Sequence, residues 1–389
     1  MFITILGRQP ALGMAELEQL YGSGSVKWFG TTSALVDTDD FDFERLGGSQ
    51  KAGRVVAELR GDWHGISMKL VSKYAAQWAQ SSGKITLGIS TYGFTVAPRD
   101  VQKTGIVLKS KLKAHGVSLR LIPNSDAALN TAVSHHNKLG LSANHIELLI
   151  VRAASGAVII AESVGAQNIT ALAARDQARP RTDAFVGMLP PKLARMMVNM
   201  AAGDITNTTT VLDPFCGTGV VLQEAALLGC GTVYGSDLSA KMVDYTQTNL
   251  DWLLDRYHLA TTVRVEEADA ITHQWQQPVS TVICETYLGQ PFSAPPSPAK
   301  LTEVRGNCDR IVGTFLRNIA GQLAPGTTLC IAIPAWRDHT GQFTHLSVVG
   351  SLERLGYRLQ PLHHIRHEQL LYYRETQVVA RQLLLLQKS

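Results

Sequence analysis

The stretch that most limits what this chain can fold into is Val211-Leu-Asp-Pro-Phe-Cys-Gly-Thr-Gly219. A short strand-favouring run ends on an acid, Asp213. A tight turn carrying Gly217 and Gly219 follows. A helical pattern then begins with Val220, Val221, Leu222, Ala225 and Leu228. Strand, glycine turn and helix in this order form a βα unit in which backbone amides can approach a ligand at a helix N-terminus. Beyond it, strands and helices alternate. Strands are predicted at Val233–Ser236, Thr262–Glu266, Val279–Glu285 and Thr328–Pro334, with helices over Lys241–Leu254 and Asp309–Leu323. Near-continuous apolar strands separated by helices predict an α/β domain, Rossmann-like, with a doubly wound parallel sheet. Leu370–Tyr373 and Val378–Leu386 read as two closing antiparallel strands.

The turn itself narrows the ligand. Gly217 and Gly219 have dinucleotide-fingerprint spacing, but Leu222 stands where the third glycine would be. No Lys-Ser/Thr follows, as a phosphate-cradling Walker loop requires. A nicotinamide oxidoreductase is therefore disfavoured. An acid directly before a Gly-x-Gly turn suits a ligand with a positive end and no phosphate, and S-adenosylmethionine is such a ligand. Each of the first four strands also ends at or near an acid: Asp213, Asp237, Asp269 and Glu285. Ligands of open α/β sheets sit at these carboxyl ends. Asp237, in Tyr234-Gly-Ser-Asp237, is placed to accept from a ribose diol, although an acid there also serves as a helix N-cap. Asp269 is placed to accept from the amine of adenine, with Leu238 and Ala270 against the ring. Pro214, Phe215 and Cys216 complete the cofactor loop.

The 389 residues are 45% hydrophobic and 17% charged, enough apolar content for two or three cores and little scope for disorder. No run of about 18 apolar residues occurs, so no membrane span is expected. Met1-Phe-Ile-Thr-Ile-Leu-Gly-Arg8 reads as a strand, not a signal peptide. Five cysteines without a Cys-x-x-Cys pair fit reduced thiols in the cytoplasm. The net charge of +4 permits a nucleic-acid partner without demanding one. Oligomeric state is not readable.

The first 95 residues read as roughly βαββαβ, the ferredoxin-like order. A second unit opens near Tyr92-Gly-Phe-Thr-Val-Ala-Pro98. Its first helix, Arg99 to His115, carries Lys103, Lys109, Lys111 and Lys113 against Asp100 alone, and Arg120 follows on a short strand. These cations are either a solvated helix face or a phosphate-contacting one. A helix is predicted over Ala127–Leu139. Arg175-Asp-Gln-Ala-Arg-Pro-Arg-Thr-Asp183 is polar and proline-bearing, the pattern of a linker. His363-His-Ile-Arg-His367 lacks nearby Cys or Asp partners and reads as polar surface, not a metal site. No metal ligands are assigned.

Taken together, these segments resemble the THUMP-domain tRNA guanine-N2 methyltransferases, the TRM eleven-like group. Asp213-Pro-Phe-Cys-Gly-Thr-Gly219 is similar to the family's methionine-side cofactor motif, and Tyr234-Gly-Ser-Asp237 to its ribose motif. Arg175-Asp-Gln-Ala-Arg-Pro180 followed by Leu189-Pro-Pro-Lys-Leu-Ala-Arg-Met-Met-Val-Asn199 resembles the segment that joins the two halves. Leu119-Arg-Leu-Ile-Pro123, His136-Asn-Lys-Leu139 and Val164-Gly-Ala-Gln-Asn168 resemble the THUMP module, which adds Asn137 and Lys138 to the RNA-binding candidates. The resemblance implies a ferredoxin-like domain over residues 1–95, a THUMP RNA-binding domain over 96–172 and a class I methyltransferase domain over 173–389. It implies S-adenosylmethionine as cofactor and tRNA as partner.

One motif departs from the family. Asp/Asn-Pro-Pro-Tyr/Phe is expected after the fourth strand, and this chain has Glu285-Thr-Tyr-Leu288. An exocyclic guanine amine is a poor nucleophile because its lone pair is delocalised into the ring. A gripping oxygen and a stacked aromatic ring free that lone pair. Glu285, Thr286 and Tyr287 are the catalytic candidates, with Glu285 as acceptor and Tyr287 or Phe292 as the stacking ring. Two other readings stay open: a SAM- and RNA-binding protein without catalysis, and a DNA amino-methyltransferase.

Overall fold

In Leu148-Leu-Ile-Val151, consecutive apolar side chains enter two different cores: Leu148 and Ile150 join one, Leu149 and Val151 the other. Side chains alternate across a strand, so a continuous apolar run marks a strand covered on both faces. The computed structural model describes residues 1–183, 188–276 and 278–389. These fall into two units, Met1–Leu17 with Tyr21–Ala171 and Glu18–Leu20 with Leu172–Ser389.

The first unit contains β1 (Phe2–Leu6), α1 (Pro10–Tyr21), β2 (Val26–Gly30), β3 (Ser33–Val36), β4 (Ser49–Arg60), α2 (Trp63–Gln77), β5 (Ile85–Tyr92) and α3 (Pro98–Ala114). It continues with β6 (Leu119–Leu121), α4 (Thr131–His136), β7 (His145–Arg152) and β8 (Ala157–Ala166). All eight strands form one sheet in the order β2-β3-β1-β4-β8-β7-β5-β6. Helices α2 and α3 cover one face, with Ile66, Leu70 and Tyr74 beside Val101, Leu108 and Leu112.

The division expected at residues 95/96 does not separate two sheets. β4 pairs with β8 along nearly its whole length, and β5 pairs with β6 and β7. Periodicity identifies strands but not their partners, and here the long β4 finds its partner about a hundred residues on. The helix expected over Ala127–Leu139 is also shorter, Thr131–His136, capped by Asn130 accepting from Val133 N at 2.9 Å. Residues 127–129 are tied to β4 and β5 instead. The Ala127 carbonyl accepts from Thr91 N, Leu129 N donates to Ser90 Oγ, and the Leu129 carbonyl accepts from Lys51 Nζ at 2.7 Å. Lys51 is itself buried against Glu147, which also accepts from Ser90 Oγ at 2.5 Å.

The second unit holds α5 (Ile169–Gln177, entering from the first), α6 (Pro191–Ala202), β9 (Thr210–Asp213), α7 (Val220–Leu227), β10 (Thr232–Asp237), α8 (Ala240–Tyr257), β11 (Thr262–Glu267), β12 (Thr281–Glu285), α9 (Pro298–Ala320) and β13 (Thr328–Arg337). β14 (Phe343–Thr344), β15 (Tyr357–Leu359), β16 (Leu371–Tyr372) and β17 (Val379–Lys388) complete it. The sheet order is β11-β10-β9-β12-β13-β17-β15, with β14 on β13 and β16 on β17. The first five strands are parallel, and β17 runs antiparallel between β13 and β15. Strand order reverses between β9 and β12, the switch point at which open sheets part to admit ligands.

Three expectations change here. Helix α9 begins at Pro298, eleven residues before Asp309, because Ser297 caps it by accepting from Lys300 N at 3.3 Å. Strands β14 and β15 are too short for periodicity to reveal. The segment Arg175–Asp183 is not a solvated linker: Arg175 and Arg179 are buried, and Arg175 pairs with Glu224 at 2.6 Å. Arg195 reaches the other oxygen of Glu224 at 2.7 Å, so one buried carboxylate serves two guanidiniums. Among the described residues no helix is long and apolar enough to cross a membrane.

Candidate active site

The Cys216–Gly219 turn is held by main chain and by helix α8, not by its own side chains. Cys216 N donates to the Ser236 carbonyl at 2.9 Å. Thr246 Oγ1 donates to the Gly217 carbonyl at 2.8 Å, and Asn249 Nδ2 to the Thr218 carbonyl at 2.9 Å. Gly217 and Gly219 adopt φ of 53° and 80°, values that a side chain disfavours, and a Cβ on Gly219 would press Thr246 at 3.1 Å. Gly235 on β10 matters for another reason. A Cβ there would meet Leu222 at 2.7 Å, so only glycine lets the second strand pass beneath the first turn.

Each carboxylate at a strand end pins the loop that follows it. Asp213 accepts from Phe215 N at 3.1 Å, and Asp269 from Ile271 N at 3.1 Å. Asp237 accepts from both Gly217 N and Ser239 N at 3.0 Å, bridging the first turn to the start of α8. The local-turn reading of these acids and their site reading are thus compatible, since carboxylate oxygens retain further lone pairs. Burial, with Asp237 and Glu285 nearby, pushes the Asp213 carboxyl well above the usual range. A cationic ligand group beside Asp213 would oppose that rise. Cys216 is buried, and burial followed by the Asp213 charge drives its thiol well up, so it is no nucleophile.

These groups open onto one cavity of about 1090 Å³, which also reaches Thr376–Val379 and Arg381. Of the proposed cofactor residues, Asp213, Pro214, Phe215, Cys216, Gly217, Asp237, Leu238, Asp269 and Ala270 all line it. Gly219 does not; it ends the turn as the N-cap of α7. Leu238 is 71% exposed, an apolar side chain on the cavity wall with nothing covering it, whereas Ala270 is buried.

The three catalytic candidates also line the cavity but differ in what they are free to do. Glu285 is paired with Arg381 of β17, through Nε to Oε1 and through Nη2 to Oε2 at 3.4 Å. Burial raises its carboxyl while Arg381 opposes the rise. Thr286 is turned back into the sheet: its N and Oγ1 both donate to the Ala332 carbonyl, at 3.0 and 3.1 Å. The Thr286 hydroxyl is thus committed to the sheet. Tyr287 is 45% exposed and remains a ring available for stacking. Sequence reasoning missed Arg381, Thr246 and Asn249. The signal for Arg381 was a lone charge inside the apolar strand Val378–Leu386.

In the first unit, Lys103, Lys109, Lys111, Lys113, Arg120 and Lys138 are all exposed, and Asn137 is half-buried with its amide donating to the Val133 carbonyl. No ion pair among the described residues involves the α3 lysines. At about 100° per residue, Lys109 and Lys113 lie close together, while Lys103 and then Lys111 follow in steps of about 80° around the side away from the buried Val101, Leu108 and Leu112. The four lysines are therefore not one stripe.

Comparisons with known proteins agree with this geometry. Residues 179–308 match the family described as UPF0020: RMKL-like, methyltransferase domain. A tRNA (guanine(10)-N2)-dimethyltransferase of Methanothermobacter thermautotrophicus is 32% identical over 168 residues, 42% of this chain and 44% of that protein. One from Methanocaldococcus jannaschii is 44% identical over 89 residues, 22% of each chain. The chain thus matches less than half the length of these curated relatives. The crystal structure of TrmN from Thermus thermophilus shares the fold, with a TM-score of 0.56 and 18% identity, over 100% of this chain and 99% of that one. Over residues 179–308, the chain therefore carries an RMKL-like methyltransferase domain.

Proposed function

We propose that this protein is an S-adenosylmethionine-dependent tRNA methyltransferase that acts on the exocyclic N2 amine of a guanosine. The observation that carries this reading is the convergence of Asp213, Asp237, Asp269 and Glu285 on one cavity at the carboxyl ends of β9 to β12. The partial similarity to tRNA guanine-N2 dimethyltransferases supports the choice of substrate.

Asp237 would hold the ribose, Asp269 the adenine amine, and Leu238 one face of the ring. The acidic surroundings of Asp213 suit the cationic end of the cofactor. When bound, S-adenosylmethionine supplies an electrophilic methyl group on a sulfonium. Glu285 accepts from the guanine amine and steers the nitrogen lone pair outward, while Tyr287 stacks on the flipped base. Glu285 and Tyr287 would aim that lone pair at the methyl group, which the bound cofactor would give up in becoming a neutral thioether. The proton left on nitrogen passes to Glu285. Correct placement of donor and acceptor contributes most of the remaining rate. The first unit would hold the RNA through phosphate contacts from Lys103, Lys109, Lys111, Lys113 and Arg120, with Asn137 and Lys138 as further contacts. The five buried free cysteines fit work in a reducing compartment such as the cytoplasm.

A labelled-methyl transfer assay on bulk tRNA, followed by nucleoside digestion, tests the reading. Label in N2-methylguanosine is expected. Label in adenosine, or preference for DNA, would overturn the substrate. Cofactor binding without transfer would favour a binding protein, a reading to which the engaged Glu285 and Thr286 lend some weight.

Two effects follow. Asp237→Ala is expected to weaken cofactor binding by about 1–3 kcal/mol, since it strips acceptors from a ribose and unhooks Gly217 N. Unchanged affinity by calorimetry would remove Asp237 from the ribose site. Reversing the charge at Lys103, Lys109 and Lys113 is expected to weaken tRNA binding and flatten its dependence on salt. An unaltered salt slope in the triple variant would return these lysines to a solvated face.

A further inference from the structure

We propose that Arg381 is a positioning residue for methyl transfer, which holds Glu285 as an oriented carboxylate and replaces the rigid proline motif that this chain lacks. The proposal rests on the methyltransferase reading above.

Strand register shows how the pair forms. Glu285 lies level with Ala332 on β13, and Ala332 with Leu383 on β17. Arg381 is two residues from Leu383, so it shares a sheet face with Glu285 and lies level with Pro334. The two strands are separated by β13, a gap of about 10 Å at normal strand spacing. Arg381 crosses that gap over positions held by Ala332 and Pro334, where no long side chain obstructs it. Pro334 is tolerated because β12 ends level with Ala332, so no strand requires its missing N–H on that side.

The chemistry follows from the geometry. Arg381 is 8% exposed and its Nε and Nη2 meet the two oxygens of Glu285 separately. This side-on arrangement fixes the carboxylate plane as a backbone proline would fix a carbonyl. It spends one lone pair of each oxygen and leaves others for a donor in the cavity. The charged groups facing Glu285 are Arg381 from β17 and Asp213 from β9, with Asp237 on β10 beyond; Thr286 and Ala332 bring no charge. Without Arg381 the remaining charged neighbours are acids in a buried setting, and the Glu285 carboxyl would rise further above its usual range. A protonated Glu285 can neither take the amine proton nor accept from it well.

The test uses the full chain, bulk tRNA and single-turnover transfer rates followed from acidic to alkaline pH, with cofactor affinity measured alongside. Arg381→Met is expected to transfer about 10²-fold more slowly at neutral pH, to recover as pH rises, and to bind cofactor as the parent does. Arg381→Lys, which keeps the charge but loses the fork, should retain the parent's pH profile with a loss of no more than about tenfold. In a Glu285→Gln background, Arg381→Met should cost nothing further. A pH profile for Arg381→Met that superimposes on the parent's would overturn the proposal and leave the methyltransferase reading intact. So would a further loss in the Glu285→Gln background, or cofactor affinity falling in step with rate. Should Arg381→Met fail to fold, an alkaline-shifted profile for Arg381→Lys would overturn the proposal, and an unshifted one would uphold it. A parent protein that transfers no methyl to any tRNA would overturn both.

Discussion

Glu285→Gln should lower methyl transfer to tRNA by about 10²–10⁴-fold while leaving cofactor binding intact. An amide retains one acceptor oxygen, and elsewhere that could suffice. Here Arg381 donates to both carboxylate oxygens, so an amide can accept from only one of these groups, and its NH2 is set against the other and toward the cavity. A donor would oppose the N–H groups of the substrate amine, and no group would remain to take the proton. The substitution preserves volume and a hydrogen bond to Arg381, so the fold should survive, and calorimetry with cofactor serves as the control. Full activity in this variant would remove the ionised Glu285 from the mechanism.

Glu224→Ala should destabilise the second unit by about 3–5 kcal/mol. Glu224 is 1% exposed and pairs with Arg175 and Arg195, each largely buried. Removing it takes away the carboxylate that two guanidiniums share inside the protein, and desolvated charge is costly to leave uncompensated. For a unit of this size the loss corresponds to a fall in melting temperature of roughly 6–20 °C. A melting temperature within a degree or two of the parent's would show that water reaches the pair. Glu224→Gln should fall between the two, because it keeps the hydrogen bonds and loses the charge.

How far the sequence carried the site depends on distance along the chain. The turn made by Asp213 and the glycines was legible because it acts on neighbours within one βα unit, where spacing and geometry are nearly the same thing, whereas Asp237 also reaches back to Gly217 N of the preceding unit. Arg381 lies 96 residues beyond Glu285. Nothing in either local pattern connects them, and only the insertion of β17 antiparallel beside β13 brings them together. Thr286 illustrates the converse. Its place in the motif suggested a role in the cavity, but strand geometry turns its hydroxyl to Ala332.

In the first unit the same division holds. The apolar pattern of the first strand and the spacing in α3 marked those elements to within a few residues. Pairing of β4 with β8 could not be read, because a strand's pattern records which face is buried and not which strand lies beside it. Residues 127–129 look helical by composition, yet Ser90, Thr91 and Lys51 capture their backbone. By itself, then, the sequence determined the alternating sheet, the glycine turn and the row of acids at the strand ends. These rest on periodicity, on the backbone freedom of glycine and on local hydrogen bonding. Tertiary structure alone decided that Glu285 would be gripped by Arg381, that Arg175 and Arg195 would share Glu224, and that residues 1–166 would form one sheet, since each depends on contacts between groups far apart in the chain.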